Sequence, residues 1–154
     1  MIEAFKRALV LAPHTDDGEF GCGGTTARLV EAGCEVRYVA FSIATRSLPP
    51  GFPPDTLAKE VRAATAELGI PESELTVHDF DVRTFPERRQ DILELLVALW
   101  EDYRPDVVFQ PSHRVGDGRR HAVEFECGGR EAAAAIDRIQ YRHCLERNAH
   151  IQII

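Results

Sequence analysis

The sequence has no C-x-x-C pair, no apolar run long enough to cross a bilayer and no excess of basic residues. Its four cysteines, Cys22, Cys34, Cys127 and Cys144, are widely spaced. That spacing excludes a zinc ribbon or a thioredoxin-like redox pair and reads as free thiols. With no apolar stretch after Met1 of the kind a secretory signal needs, a cytoplasmic location is expected. A transmembrane helix requires about 18 to 20 successive apolar residues. No segment approaches that length, so no membrane partner is expected. Acidic residues outnumber basic ones 25 to 18, for a net charge of -7. Neutralising phosphates needs clustered Lys and Arg, so nucleic acid is not an expected partner either. Internal repeats and low-complexity tracts are also missing. What remains is a chain of 154 residues, long enough to bury a core unaided, and a single domain over residues 1–154 is the expectation.

The segments Ala8–Leu11, Val36–Phe41, Leu75–Val77 and Asp106–Phe109 are rich in β-branched and aromatic residues and read as strands. Helical patterns separate them. The first helix is expected from about Gly18, with Cys22, Thr26, Leu29 and Val30 at helical spacing, ending at Gly33. A second is expected from the N-cap Asp55, with Leu57, Val61, Ala64 and Leu68 on one face, ending at Gly69 before Pro71. For the third, Thr84-x-x-Glu87 reads as a capping box ahead of the apolar stripe Ile92, Leu95, Leu96, Leu99, Trp100 and Tyr103. This alternation implies an α/β, Rossmann-like three-layer sandwich with a mostly parallel sheet and its site at the carboxyl ends of the strands. Between Ser42 and Asp55 four prolines and a glycine exclude helix or central strand and leave a long loop on that same edge. Beyond Pro111 the expectations are a helix from Arg119 to about Arg138 and a final strand from Ala149 to Ile154.

The stretch Ala12-Pro-His14-Thr-Asp16-Asp17 follows the first strand directly. An imidazole and a carboxylate three residues apart can close on one ion, with Asp16 turned elsewhere in the same pocket. Such N/O donors suit a borderline divalent ion such as zinc, whose catalytic sites need three protein ligands and leave one position open. The alternative is that Asp16 and Asp17 cap the following helix while His14 hydrogen-bonds within the turn. Gly21-Cys-Gly-Gly24 bears on the choice, because glycine in a helix costs about 1 kcal/mol against alanine and close backbone approach is the expected reason for it. A dinucleotide fingerprint is not expected, since acids occupy the turn where a pyrophosphate would sit.

The stretch Ala12-Pro-His14-Thr-Asp16-Asp17-Gly-Glu-Phe-Gly21-Cys-Gly-Gly-Thr25 resembles the signature of the LmbE-like, or PIG-L, family of zinc-dependent de-N-acetylases. So do Glu60-x-x-x-Ala64-x-x-x-Leu68-Gly69, Asp79-Phe-Asp-Val-Arg83-Thr-Phe85 and Arg104-Pro-Asp-Val-Val-Phe109-Gln-Pro-Ser112. The resemblance runs in order over about residues 7 to 112. It implies one zinc ion per chain held by His14, Asp17 and a third ligand, with Asp16 as general base, and hydrolysis of the N-acetyl amide of an N-acetylated amino sugar or its conjugate. Such a small-molecule conjugate is the implied partner. Zinc lowers the pKa of a coordinated water towards about 7, and a neighbouring carboxylate can take its proton.

The third ligand of the family comes from an H-x-D-H-like segment, which here reads Pro111-Ser-His113-Arg-Val-Gly-Asp117-Gly-Arg119-Arg120-His121. Matching His121 to the ligand puts Arg120 in place of the aspartate and Gly118 in place of the second histidine. His113 is the alternative third ligand, with Asp117 a further carboxylate. Arg119 or Arg120 is the candidate oxyanion partner. The arginine expected three residues before Glu60 is Leu57, and Arg46 or Arg83 is the substitute for that contact. Relatives carry additional C-terminal segments, so the resemblance covers a domain lacking some of the usual C-terminal part. Three readings stay open: an active deacetylase, a metal-binding relative with weak or no hydrolase activity, and a structural or interaction domain that retains the fold without metal. The apolar Ile151-Gln-Ile-Ile154 tail makes burial in a homo-oligomer a further expectation.

Overall fold

A computed structural model describes residues 5–112 and 122–127 of the chain. Its regular elements are β1 (Arg7–Ala12), α1 (Asp17–Glu31), β2 (Glu35–Ala40), α2 (Thr56–Glu67), β3 (Leu75–Val77), α3 (Arg89–Tyr103), β4 (Val107–Ser112) and β5 (Ala122–Cys127). They form one sheet in the order β3-β2-β1-β4-β5. The first four strands are parallel, and β5 runs antiparallel to β4. The chain therefore steps outward from β1 to β3 and then returns to the other side of β1, which makes the β1/β4 boundary a topological switch point.

Burial divides β1 by face. Ala8, Val10 and Ala12 pack with Cys22 and Leu29 of α1 and Val61 of α2, whereas Leu9 and Leu11 pack with Leu96 and Tyr103 of α3. This period of two, with apolar residues on both faces, is what a central strand covered by helices on each side requires. The expected three-layer sandwich is the observed fold. At its amino edge the Asp106 carboxylate accepts the backbone N–H groups of Lys6 and Arg7 at 2.8 and 2.9 Å, tying the start of β4 to that of β1. Gly33 and Gly69, at φ +79 and +80, close α1 and α2 in the left-handed region, as expected of helix-ending glycines.

Three expectations need correction. The Thr84-x-x-Glu87 box does not open α3. Thr84 ends a short 3-10 turn over Val82–Thr84, its hydroxyl donates back to the Asp81 carbonyl at 3.0 Å, and α3 begins at Arg89. A local side-chain bond has displaced the cap. The helix expected from Arg119 is not formed at Ala122–Cys127, which is β5; the alternation Val-Glu-Phe-Glu there is a strand pattern of period two. The crowding expected at Gly21-Cys-Gly-Gly24 is absent at Gly23 and Gly24, where an added Cβ would meet ordinary contacts at 3.9 Å and nothing within 4 Å. These glycines flank a kink instead, for Cys22 leaves helical geometry at φ -143, ψ 18. The final strand expected from Ala149 lies outside the described residues.

Candidate metal centre

The β1 strand ends at Ala12, and five residues later α1 has begun. Inside this turn the Asp17 carboxylate reaches backwards: its Oδ2 accepts the His14 backbone N–H at 2.8 Å and lies 2.9 Å from His14 Nδ1. Imidazole and carboxylate thus meet across a single turn, with the His14 side chain 44% and that of Asp17 26% exposed. Donor atoms this close lie within reach of one ion at the ~2.0–2.2 Å bonds of zinc, and the N/O set suits it. Among the described residues no group of three or more His, Cys, Asp and Glu forms a metal site. A third ligand has to come from elsewhere.

Asp16 behaves differently. It occupies the N-cap position of α1, yet its side chain makes no capping hydrogen bond, and it is exposed. The capping alternative accounts for the His14–Asp17 contact but not for an N-cap carboxylate that makes no side-chain hydrogen bond among the described residues. Asp16 and His14 instead line a cleft of about 570 Å³, bounded by Glu19 and Phe20 of α1, by Leu48 and Pro49 of the proline-rich segment, and by Leu57 and Glu60 of α2. Phe20 is 88% exposed at this opening. The long loop expected on this edge is therefore a wall of the cleft, braced where the Ser42 hydroxyl accepts the Ala44 N–H at 3.0 Å. Leu57 lines it as well. Arg46 instead pairs with Asp81 at 3.1 Å, and neither Arg46 nor Arg83 is part of the lining among the described residues.

Two further residues of the site were not singled out from the sequence. Glu19 is half-buried in the cleft wall and accepts a hydrogen bond of 2.5 Å from the Tyr38 hydroxyl. Burial pushes its carboxyl above the ordinary range, opposed by the Tyr38 hydrogen bond, while Asp16 and Asp17 add to the rise. Tyr38 lies in β2, wholly buried, and burial together with Glu19 drives its phenol strongly upward. A tyrosine flanked by the buried Val36, Val39 and Ala40 needs a partner for its hydroxyl, and that was the available signal.

His14, Asp16 and Asp17 thus lie together in the turn after β1. His113, Asp117, Arg119, Arg120 and His121 lie outside the described residues. They fall between Ser112 and Ala122, which pair as the last and first residues of β4 and β5. The register Val10↔Phe109 sets the carboxyl end of β4 beside that of β1.

A doubly wound sheet with an imidazole–carboxylate turn after its first strand defines a class of α/β proteins with a site at the switch point. Residues 9–127 match the PIG-L family, described as GlcNAc-PI de-N-acetylase, and the chain belongs to that family. No curated protein matches the sequence. Among solved structures it is similar to the N,N'-diacetylchitobiose deacetylase of Pyrococcus horikoshii, at 24% identity and a TM-score of 0.63, covering 71% of this chain and 42% of that one. It is similar also to the conserved protein TT1542 of Thermus thermophilus, at 33% identity and a TM-score of 0.56, covering 70% and 47%. A third is GalB, the 4-carboxy-2-hydroxymuconate hydratase of Pseudomonas putida, at 26% identity and a TM-score of 0.56, covering 75% and 50%. The chain spans half or less of the length of each of these proteins.

Proposed function

We propose that this protein is a metal-dependent hydrolase that removes the N-acetyl group of an amino sugar or its conjugate. The observation that carries the reading is the division of labour between adjacent aspartates. Asp17 is turned back onto His14, while Asp16 makes no side-chain hydrogen bond in the cleft among the described residues. His14 and Asp17 would hold a divalent ion, zinc by donor chemistry, with His121 or His113 as third ligand. Bound there, such an ion would polarise an amide carbonyl and lower the pKa of water enough for it to be deprotonated at neutral pH. Asp16 then accepts the proton of the attacking water, a role open to a carboxylate without a competing hydrogen bond. Arg120 is the candidate donor to the developing oxyanion, a charge-stabilising rather than proton-donating role.

The cleft supplies the sugar-binding surface. The Glu60 carboxylate would accept from sugar hydroxyls, and the exposed Phe20 ring offers a flat apolar face. Family membership and the shared fold of the Pyrococcus horikoshii deacetylase support the reaction class. The decisive experiment measures acetate released from N-acetylglucosamine conjugates, together with zinc per chain, for wild type, Asp16→Asn and His14→Ala. The expected result is bound zinc with acetate release in the wild type. Asp16→Asn should keep the metal and lose about 100-fold or more in rate, and His14→Ala should lose both. Zinc uptake without acetate release would make the protein a metal-binding relative rather than a hydrolase. Equal rates in wild type and Asp16→Asn would refute the general-base role.

A further inference from the structure

The first N–H groups of a helix have no partner within it, and an N-cap aspartate is among the side chains best suited to supply one. In α1 the Asp16 side chain does not do so. The Gly18 N–H is received instead by the Tyr38 hydroxyl, from the neighbouring strand β2, at 3.1 Å. That hydroxyl has one proton, and it goes to Glu19 at 2.5 Å. The Thr15 carbonyl, 3.5 Å away, is a neighbour rather than a second acceptor. Tyr38 therefore touches the chain on both sides of Asp16 and Asp17, from a position that is 0% exposed. The fit depends on glycine: a Cβ on Gly18 would stand 2.5 Å from both Cε2 and the hydroxyl oxygen of Tyr38.

We propose that Tyr38 is a positioning residue for the metal half-site, capping α1 from outside so that the Asp16 carboxylate stays free in the cleft and the Asp17 turn keeps its shape. This rests on the metal-site reading above. Without the hydroxyl, the Gly18 N–H needs another acceptor, and the nearest suitable group by position is the N-cap carboxylate of Asp16. Drawing Asp16 into the cap would remove it from the cleft and rotate the adjoining Asp17 away from His14.

The test compares the zinc dissociation constant, by chelator competition, of wild type, Tyr38→Phe and a matched control, Tyr103→Phe. Tyr103 is likewise buried, and its hydroxyl donates to the Glu35 carbonyl at 3.0 Å, at the opposite edge of the sheet. Tyr38→Phe should bind zinc about tenfold more weakly, as expected when an outer partner of a metal site is lost. Acetate release should fall in kcat more than it changes KM. Tyr103→Phe should lose stability yet bind zinc as the wild type does. Should Tyr38→Phe fail to fold, Glu19→Gln and Glu19→Ala decide the matter. The amide oxygen of glutamine still accepts from Tyr38 and should hold zinc affinity near wild type, whereas alanine should weaken it. A wild type that takes up no divalent ion would overturn the metal reading and this inference with it. Equal zinc affinity in wild type and Tyr38→Phe, or an equal loss in Tyr103→Phe, would overturn this inference alone.

Discussion

Substituting alanine for Gly18 sets two effects against each other, and the geometry decides between them. Alanine gains at most about 1 kcal/mol in helix propensity over glycine. Against this, the new methyl carbon would lie 2.5 Å from Tyr38 Cε2 and 2.7 Å from Cζ, and a ring that is 0% exposed has nowhere to turn. Overpacking of this kind costs about 1–3 kcal/mol, and the hydrogen bond from Gly18 N–H to Tyr38 contributes about 1 kcal/mol more. The net expectation is a loss of about 1–3 kcal/mol, or about 2–12 °C in Tm for a domain of this size. Urea unfolding of wild type, Gly18→Ala and Gly24→Ala measures it. Gly24 has open space around its Cβ position, so its alanine variant should gain about 0.5–1 kcal/mol. Adding Tyr38→Val to Gly18→Ala should recover part of the loss, with a coupling energy of at least about 0.5 kcal/mol. A Gly18→Ala protein as stable as wild type would refute the crowding argument.

Two other measurements address the titrating groups. His78 stacks on Phe41, with ring centroids 6.1 Å apart, and burial depresses its pKa below the ordinary histidine value. A histidine that prefers neutrality when folded contributes stability present above about pH 6.5, lost as pH falls through the unfolded value. His78→Phe should therefore flatten the decline in unfolding free energy between about pH 7 and 5, and an unchanged slope would contradict the assignment. The Cys22 thiol is 7% exposed and pushed up to about 11 by burial. It should resist alkylation at pH 8 in the native protein and react after unfolding, as read by mass spectrometry of the labelled peptides; native labelling of Cys22 would show that α1 opens at its kink.

Much of the fold was legible because the central strand β1 is buried on both faces. The β-branched runs of β1, β2 and β4 stand out against amphipathic helices, and Gly33 and Gly69 mark real helix ends. The capping box failed for a reason the spacing does not carry: Asp81 caps a 3-10 turn over Val82–Thr84 instead, its carboxylate accepting the Arg83 N–H at 3.0 Å. For β5, the alternating run AVEFEC is only six residues long and lies inside the span expected to be helical. At the candidate site, His14, Asp16 and Asp17 stand out in the sequence because their types and spacing suggest chemistry on their own. Glu19 and Tyr38 were not, since their relation is a contact between α1 and β2, separated by nineteen residues in the chain. The glycines show the same limit. Gly18 is the crowded one, and its crowding depends on a ring supplied by another strand.

The two sides of the cleft are anchored unequally. From Ala8 to Ala12 β1 is buried without interruption and paired with β2 on one side and β4 on the other. Its amide hydrogens should exchange with solvent only when the whole domain unfolds. The turn carrying His14 and Asp17 is an extension of that slowest-exchanging strand. The opposite wall, Ala44 to Pro49, is largely exposed and held by a local bond to Ser42 and an exposed ion pair from Arg46 to Asp81, so it belongs to the fast-opening part of the protein. A ligand would then enter past a wall that yields, towards donor groups whose separation does not change as it does so.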